Sequence, residues 1–490
     1  MSVIPCTAWV RKGVASTNPE KIELTPEELE QIIKHTQSEL QDAENDSNGE
    51  HDEIMAEKNQ TESKFDTSKI DEYNFDKYDD ESGTIYCNIG NIATFGKDGK
   101  DPLITEDDND SEKEDDIIKS DDNFVLVGNV EEDASILEVF VYNEAEGSFY
   151  CHHDILLPSF PLCIEWLNFD PSDSKPSNLC AIGYMTPVIE VWDLDVIDCL
   201  EPIYRLGHKP NKKKNKKRVG HKDAVLDIAW NENYMHVLAS GSVDQTVLLW
   251  DLENGTPVNK FDSFNEKVQS LKWHPTETHK LLTGCADKMV RLLDCKYATI
   301  AQSWIAMGEV ERVLWNRFDS NYCIVSTANG YLQYIDIRKE KPIWNIEAHT
   351  KEVTGLSLSS SCPGFLVTSA NDGVIKVWDI INNTEPWLVW ELKSNLGALL
   401  CLASNPDSPF VFAAGGDNKA HNFKVFDFSE ISQVRESFQD RKCVVLQNDT
   451  DDVRIQGEME EMMDVTENMD SLILSVDTPN KKTKKKTKSK

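Results

Sequence analysis

Trp-Asp closes a strand-like stretch three times in this chain, at Trp192-Asp193, Trp250-Asp251 and Trp378-Asp379. Leu293-Asp294, Ile335-Asp336 and Phe426-Asp427 keep an apolar residue before the aspartate. Successive endings are 58, 43, 42, 43 and 48 residues apart, and the long first step contains a lysine-rich insert. A second mark precedes each ending: CIEWLNFDP from Cys163, VLDIAWNEN from Val225, VQSLKWHPT from Val268 and VERVLWNRF from Val310. Apolar residues alternate in these segments, which puts one face of a strand in a core. Trp166, Trp230, Trp273 and Trp315 recur in register, and the series continues in VTGLSLSSS from Val353 and LLCLASNPD from Leu399, with Leu358 and Ser404 in place of tryptophan.

Between the two marks lie a strand, a polar turn and a strand, clearest in VLASGSVDQTVLLWD from Val237 and FLVTSANDGVIKVWD from Phe365. Asp with Gly or Gln supplies the local hydrogen bonds and permissive backbone that a tight hairpin needs. A repeat of this length and ending marks one four-stranded propeller blade. Six units span Leu162 to Phe428, and FVLVGNV from Phe124 with SILEVFVYNE from Ser135 suggests a seventh, with Val141-Tyr142 where Trp-Asp would stand. The expectation is an all-β, seven-bladed β-propeller. VIPCTAWVR near the start reads like the later Trp-bearing strands, so Val3 to Arg11 is expected as the inner strand of the first blade, closing the ring.

The formal net charge of −36 is segregated along the chain. Residues 38–82 hold 16 acidic against 4 basic side chains, and residues 101–122 hold 11 against 2. Such segments bury too little apolar surface to fold alone. The organisation expected is a closing strand over 1–12, an acidic, largely disordered region over 13–122, a propeller over 123–440 and a disordered tail over 441–490 that ends in a Lys-rich signal. Within the acidic region, Thr25-Pro26-Glu27-Glu28 followed by Leu29, Ile32 and Ile33 is a capping box with proline at the first helical position, which predicts a helix near 26–42. The tail is polar apart from SLILSV at 471–476. The opening residues lack a long apolar stretch and no apolar run reaches about 18 residues, so neither a signal peptide nor a membrane span is expected. The twelve cysteines include no CxxC pair, which fits reduced thiols rather than a disulfide framework or zinc cluster.

These endings and periodic tryptophans resemble the WD-repeat family, and the CTAWVRKGVA opening, acidic region and basic end resemble, within it, the periodic tryptophan proteins. The resemblance implies a nuclear and nucleolar, chromatin-associated, non-catalytic platform that supports ribosomal RNA transcription and ribosome biogenesis. Histones, chromatin or ribosome-assembly factors are the implied protein partners, bound by a monomer within complexes. The alternative is a WD-repeat scaffold or substrate receptor in another multiprotein complex, since one fold hosts many functions.

In the best-formed repeat, His221, Ser242, Asp244 and Trp250 match the hydrogen-bonded tetrad of that family. A Ser-His-Asp set also invites a hydrolase reading, but no G-x-S-x-G elbow surrounds Ser242 and no catalytic residue is assigned. His349, Asp372 and Trp378 repeat the pattern with Ala370 at the serine position, which predicts a less rigid blade. No Walker-type loop is present and the histidine pairs lack metal-ligand spacing, so no cofactor and no metal are expected. The insert carries Lys212, Lys213, Lys214, Lys216, Lys217 and Arg218. Clustered cations neutralise phosphates, so RNA, DNA or an acidic protein is a candidate ligand. A nuclear import signal and a solvated loop are the other readings, and the sequence does not separate them. Lys481, Lys482, Lys484, Lys485 and Lys486 carry the same ambiguity, with nuclear targeting favoured. Thr105 and Ser111 have carboxylates three residues downstream, the context of acidophilic phosphorylation.

Overall fold

The computed structural model describes residues 2–21, 117–132, 134–172, 176–209, 217–382 and 385–444. Outside them lie the expected helix near 26–42, Thr105, Ser111, Lys212, Lys213, Lys214, Lys216 and the lysines of the C-terminal signal. The described residues form a seven-bladed β-propeller: six four-stranded sheets, one three-stranded sheet and a two-stranded ribbon. Six blades read in chain order. Blade 2 comprises Pro161–Leu167, Leu179–Tyr184, Ile189–Asp193 and Tyr204–Leu206, and blade 3 comprises Val225–Trp230, Val237–Ser242, Val247–Asp251 and Thr256–Phe261. Blades 4 to 6 repeat this plan, and blade 7 has only Leu399–Ser404, Val411–Gly416 and Phe423–Asp427.

Blade 1 is assembled from separated parts. Ser2–Val10 is its innermost strand and pairs antiparallel with Asn123–Glu131, which is followed by Ala134–Asn143 and Ser148–Leu157. The ends of the acidic stretch are held against the next blade. Glu20–Lys21 pairs in parallel with Val196–Ile197, Ser16 N donates to Asp195 Oδ1 at 3.0 Å, and Ile118, buried between blades 1 and 2, donates to Thr17 O at 3.1 Å. Ser16, Glu20 and Lys21, grouped by composition with a disordered region, thus find partners on blade 2, and Ile118 pairs with Thr17 beside them.

Each blade forms because turn chemistry recurs at fixed points. The hairpins between second and third strands place Gln245, Lys288, Gly330 and Gly373 at φ of 65°, 66°, 86° and 76°, the left-handed region a tight turn requires. The terminal aspartate caps the following turn: Asp251 Oδ1 accepts from Glu253 N at 2.9 Å, Asp294 from Lys296 N at 3.0 Å and Asp427 from Ser429 N at 2.8 Å. In blade 1 Asn143 does this, accepting from Ala145 N at 3.0 Å. The Trp-Asp position read at Val141-Tyr142 therefore gives way to Asn143, because capping needs a side-chain oxygen.

The blades are locked across their seams by side chains that reach the free backbone of the neighbouring inner strand. Trp273 Nε1 donates to Ala229 O at 2.9 Å and Trp315 Nε1 to Lys272 O at 3.0 Å, each bridging to the preceding blade. In the other direction Asp227 Oδ2 accepts from Leu271 N at 2.7 Å and Ser270 Oγ from Val313 N at 3.2 Å. The same device closes the ring: Trp9 Nε1 donates to Ala403 O at 3.2 Å and Cys401 Sγ to Ile4 O at 3.5 Å. Ile4, Trp9, Val125, Val127, Cys401, Val411 and Ala413 form one apolar cluster over this seam. Gly415 lies so close that an added Cβ would stand 2.4 Å from Ile4 Cγ2.

Gly415→Val is expected to destabilise the fold by about 1–3 kcal/mol through overpacking at the seam. Amides of residues 2–10 are expected to exchange as slowly as those of Leu399–Ser404, since both unpair only when the ring opens. Rapid exchange of residues 2–10 within a protected propeller would show that the N-terminal strand does not close it.

Candidate binding face

The basic insert lies between blade 2 and blade 3, and its C-terminal flank packs on Trp250 of blade 3. Its two flanks meet in an antiparallel bridge, with His208 N donating to Val219 O at 2.9 Å and Val219 N to His208 O at 3.2 Å. Gly207 and Gly220 sit at φ of +86° and +94°, and a Cβ on Gly220 would stand 2.7 Å from the Trp250 ring. Glycine at 220 therefore lets the backbone close over the indole. Of the six basic residues, Lys217 and Arg218 are described; both are exposed, and Arg218 Nη1 donates to Lys222 O at 2.8 Å.

Beneath this base lies a four-member network. Trp250 Nε1 donates to Ser240 Oγ at 2.8 Å, Ser240 Oγ lies 2.7 Å from His221 Nε2, and His221 Nδ1 lies 3.2 Å from Asp244 Oδ1. A neutral His221 with its proton on Nδ1 satisfies the chain: indole to hydroxyl, hydroxyl to Nε2, Nδ1–H to carboxylate. Asp244 also accepts from Lys222 N at 2.8 Å and from Thr246 Oγ1 at 2.6 Å. Burial raises the Asp244 carboxyl, but hydrogen bonds from His221 and Thr246 outweigh it and hold the group well below the carboxylate range.

The serine of this network is Ser240, not Ser242. Ser242 donates to Asp223 O at 3.2 Å and accepts from Asp244 N at 3.1 Å, bracing the turn. The reason is register: Trp250 pairs with Leu238, so its indole reaches diagonally to Ser240, while Ser242 lies a further step away at the strand end. Blade 6 is corrected likewise. Trp378 Nε1 donates to Thr368 Oγ1 at 3.0 Å, Thr368 Oγ1 lies 2.8 Å from His349 Nε2, and His349 Nδ1 lies 3.3 Å from Asp372 Oδ2. Ala370 is no gap, because Thr368 supplies the hydroxyl and the network is complete. Both hydroxyls stand ten residues before their tryptophan and nineteen after their histidine, a spacing present in the sequence. Ser240 is fully buried with its oxygen committed to two rings, so this Ser-His-Asp set offers no accessible nucleophile.

Sequence reasoning also missed the charges lining the central cavity of about 350 Å³. Lys272 Nζ lies 3.7 Å from Glu165 Oε2, and Arg312 Nη1 lies 4.0 Å from Asp227 Oδ1. Burial pushes the Glu165 carboxyl up, and the Glu165 charge in turn pushes Lys272 up. The pairs alternate around the inner strands of blades 2 to 5, which no sequence-local pattern shows. Among the described residues no group of three or more His, Cys, Asp or Glu could hold a metal ion, and no helix is long and apolar enough to cross a membrane.

Known proteins share this architecture. The model of the WD domain, G-beta repeat, matches residues 212–251, 255–294 and 340–379. The chain is 42% identical over 448 residues to the periodic tryptophan protein 1 homolog of Drosophila melanogaster, spanning 89% of this chain and 96% of that protein. It is 30% identical over 521 residues to periodic tryptophan protein 1 of Saccharomyces cerevisiae, spanning 89% and 90%. An uncharacterized WD repeat-containing protein of Schizosaccharomyces pombe is 34% identical over 474 residues, spanning 90% and 92%.

Ser240→Ala strands two buried ring nitrogens and is expected to cost about 2 kcal/mol or more, against about 1 kcal/mol for Ser242→Ala. Denaturant melts of the two variants check this, and a larger loss for Ser242→Ala would contradict the assignment. For pH, the depressed Asp244 carboxyl binds fewer protons folded than unfolded. Its contribution to stability is therefore present above the ordinary aspartate pKa of about 3.9 and lost as pH falls towards the folded value. Asp244→Asn is expected to be less stable at neutral pH and to show a shallower acid loss in melts below about pH 4.

Proposed function

This chain belongs to the periodic tryptophan protein 1 family of WD-repeat proteins, and we propose that it serves in the nucleus and nucleolus as a non-catalytic, chromatin-associated platform for ribosomal RNA transcription and ribosome biogenesis. A closed ring holds several surfaces in fixed relation, which suits a scaffold. Its segregated charge suits two kinds of partner: the acidic stretches fit basic proteins such as histones or ribosome-assembly factors, and the basic stretch fits nucleic acid or an acidic protein.

The observation that carries this reading is the mounting of the basic stretch. The His208–Val219 bridge and the closed tetrad beneath it hold together the two flanks of the stretch that carries six basic residues. A mere import signal needs no such support. Substrate transfer or hydrolysis finds no support in the tetrad, whose hydroxyl is enclosed.

The test is crosslinking in nuclei, comparing the wild-type chain with one in which Lys212, Lys213, Lys214, Lys216, Lys217 and Arg218 are neutralised and import is restored by an added signal. Loss of ribosomal DNA chromatin or ribosomal RNA contacts is expected. Binding of the wild-type chain to RNA or DNA in vitro is expected to weaken steeply with salt, and that of the variant much less, because fewer counterions are released. Unchanged contacts in nuclei would reduce the insert to an address.

A further inference from the structure

The innermost strands share an irregularity at one end. Register slips by one residue between Pro161 and Cys163, Val225 and Asp227, Val268 and Ser270, Val310 and Arg312, and Leu399 and Cys401. Such a bulge re-aims the extra side chain, here Leu162, Leu226, Gln269, Glu311 or Leu400. Thr354 holds the same place in the VTGLSL segment of blade 6, and Pro5 lies in the bulge of blade 1. Val225 pairs with Ser242, beside the hairpin to the third strand, so this tier lies on the face that carries the tetrads. Leu162 and Thr354 line the central cavity, which places the tier at its end.

The tier has two chemically distinct sides. Leu400, Pro5, Leu162 and Leu226, of blades 7, 1, 2 and 3, are half-buried and apolar. Opposite them, Glu311 of blade 5 shares a hydrogen bond with the Glu352 carboxyl and accepts one from the Gln269 amide of blade 4. Asn371 Nδ2 donates to Glu352 Oε2 at 2.5 Å. Two carboxyls joined in this way hold one proton between them, and burial with the Glu352 charge pushes the Glu311 carboxyl up. The amides add an independent sign. Gln269 is 8% exposed and its nitrogen is engaged by Glu311, yet its Oε1 has no hydrogen-bond partner among the described residues. Asn371 Oδ1, on the other flank of the pair, is likewise buried and unpartnered among them. Buried acceptors of this kind cost free energy until a donor reaches them.

We infer that Glu311, Glu352, Gln269 and Asn371 receive one lysine or arginine side chain of a protein partner, inserted at this end of the central cavity. The cationic head releases the shared proton to solvent and donates to both carboxylates and to Gln269 Oε1. Its apolar stem faces the leucines across the opening, as long cationic side chains do when only the head is polar. A divalent cation also takes oxygen ligands, but it draws nothing from that aliphatic side. The inference rests on the reading of the ring as a binding platform and names the chemistry of one partner group. It does not involve the basic insert.

The test uses the full chain and a capped glycine-serine nonapeptide with one central lysine or arginine and a photoreactive leucine beside it. Crosslinks are expected within 160–164, 224–228 or 398–402. Calorimetry is expected to show binding at least about tenfold tighter than to a Glu311→Gln, Glu352→Gln double variant, and tighter by a similar factor than that of a norleucine peptide. Glutamine keeps the volume of each side chain, and equal thermal melts show an intact fold. Glu352→Gln alone, outside any strand, serves if the double variant melts lower. The chain with its insert neutralised is expected to bind the peptide as the wild type does, so loss of the insert reading leaves this site standing. Three results would overturn the inference: equal binding by wild type and variant, which assigns the peptide to the acidic stretches; no binding up to about 1 mM; or a melting temperature raised by calcium or magnesium in the wild type alone without peptide binding, which assigns a metal.

Discussion

Everything in this molecule depends on how seven innermost strands satisfy the edge that each turns towards the central cavity. A four-stranded blade pairs its inner strand on one side only, so the other side presents backbone groups that cost free energy if left buried and unpaired. The solution is lateral. Trp9, Trp273 and Trp315 donate to the inner strand behind them, and Asp227 and Ser270 accept from the strand ahead. Each such bond is worth about 1 kcal/mol net, while leaving a partner unmade costs more. The ring is therefore stable only as a closed set, and the first ten residues complete it although the rest of blade 1 lies more than a hundred residues later in the chain.

Closure constrains where sequence can vary. Blades 3 and 6 hold complete Trp, hydroxyl, His and carboxylate networks, whereas in blade 2 Trp192 Nε1 donates to the Tyr184 hydroxyl at 3.3 Å, and that hydroxyl donates to Glu190 at 3.1 Å. Blades 4 and 5 carry leucine or isoleucine before the aspartate and pack these in apolar clusters, and in blade 4 Arg291 pairs with the turn residue Asp287 at 2.6 Å. Burying a large side chain gives about 1.5–3 kcal/mol, comparable to what a satisfied polar network contributes. A blade can consequently lose its tetrad and keep its place.

Function attaches to this frame at points the frame makes rigid. The basic stretch is flanked by the His208–Val219 bridge above the Trp250 network, and the acidic stretch leaves from contacts with blade 2 and returns against Thr17. Two segments of opposite charge thus depart from adjacent blades. Contacts made through such charged segments would weaken with salt, while the ring that carries them is held by short-range packing that salt changes little.

Much of this was legible in the sequence, because strand alternation, hairpin turns and Trp-Asp endings are local: three to fifteen consecutive residues carry each signal, and repetition at a period near 43 multiplies it. The all-β class, the blade number and the N-terminal Trp-bearing strand follow from such marks. The tetrad serine did not follow, since choosing Ser240 over Ser242 needs the diagonal reach between paired strands. Nor did the alternating charges of the cavity, whose partners lie 107 and 85 residues apart and meet only when inner strands are ranked around one axis. Equally hidden was that the last blade has three strands among the described residues, since strand pairing is set by which edges meet when the ring closes. Sequence determined what each segment becomes; tertiary structure decided which segments touch, because contact across a closed ring depends on geometry that no single repeat contains.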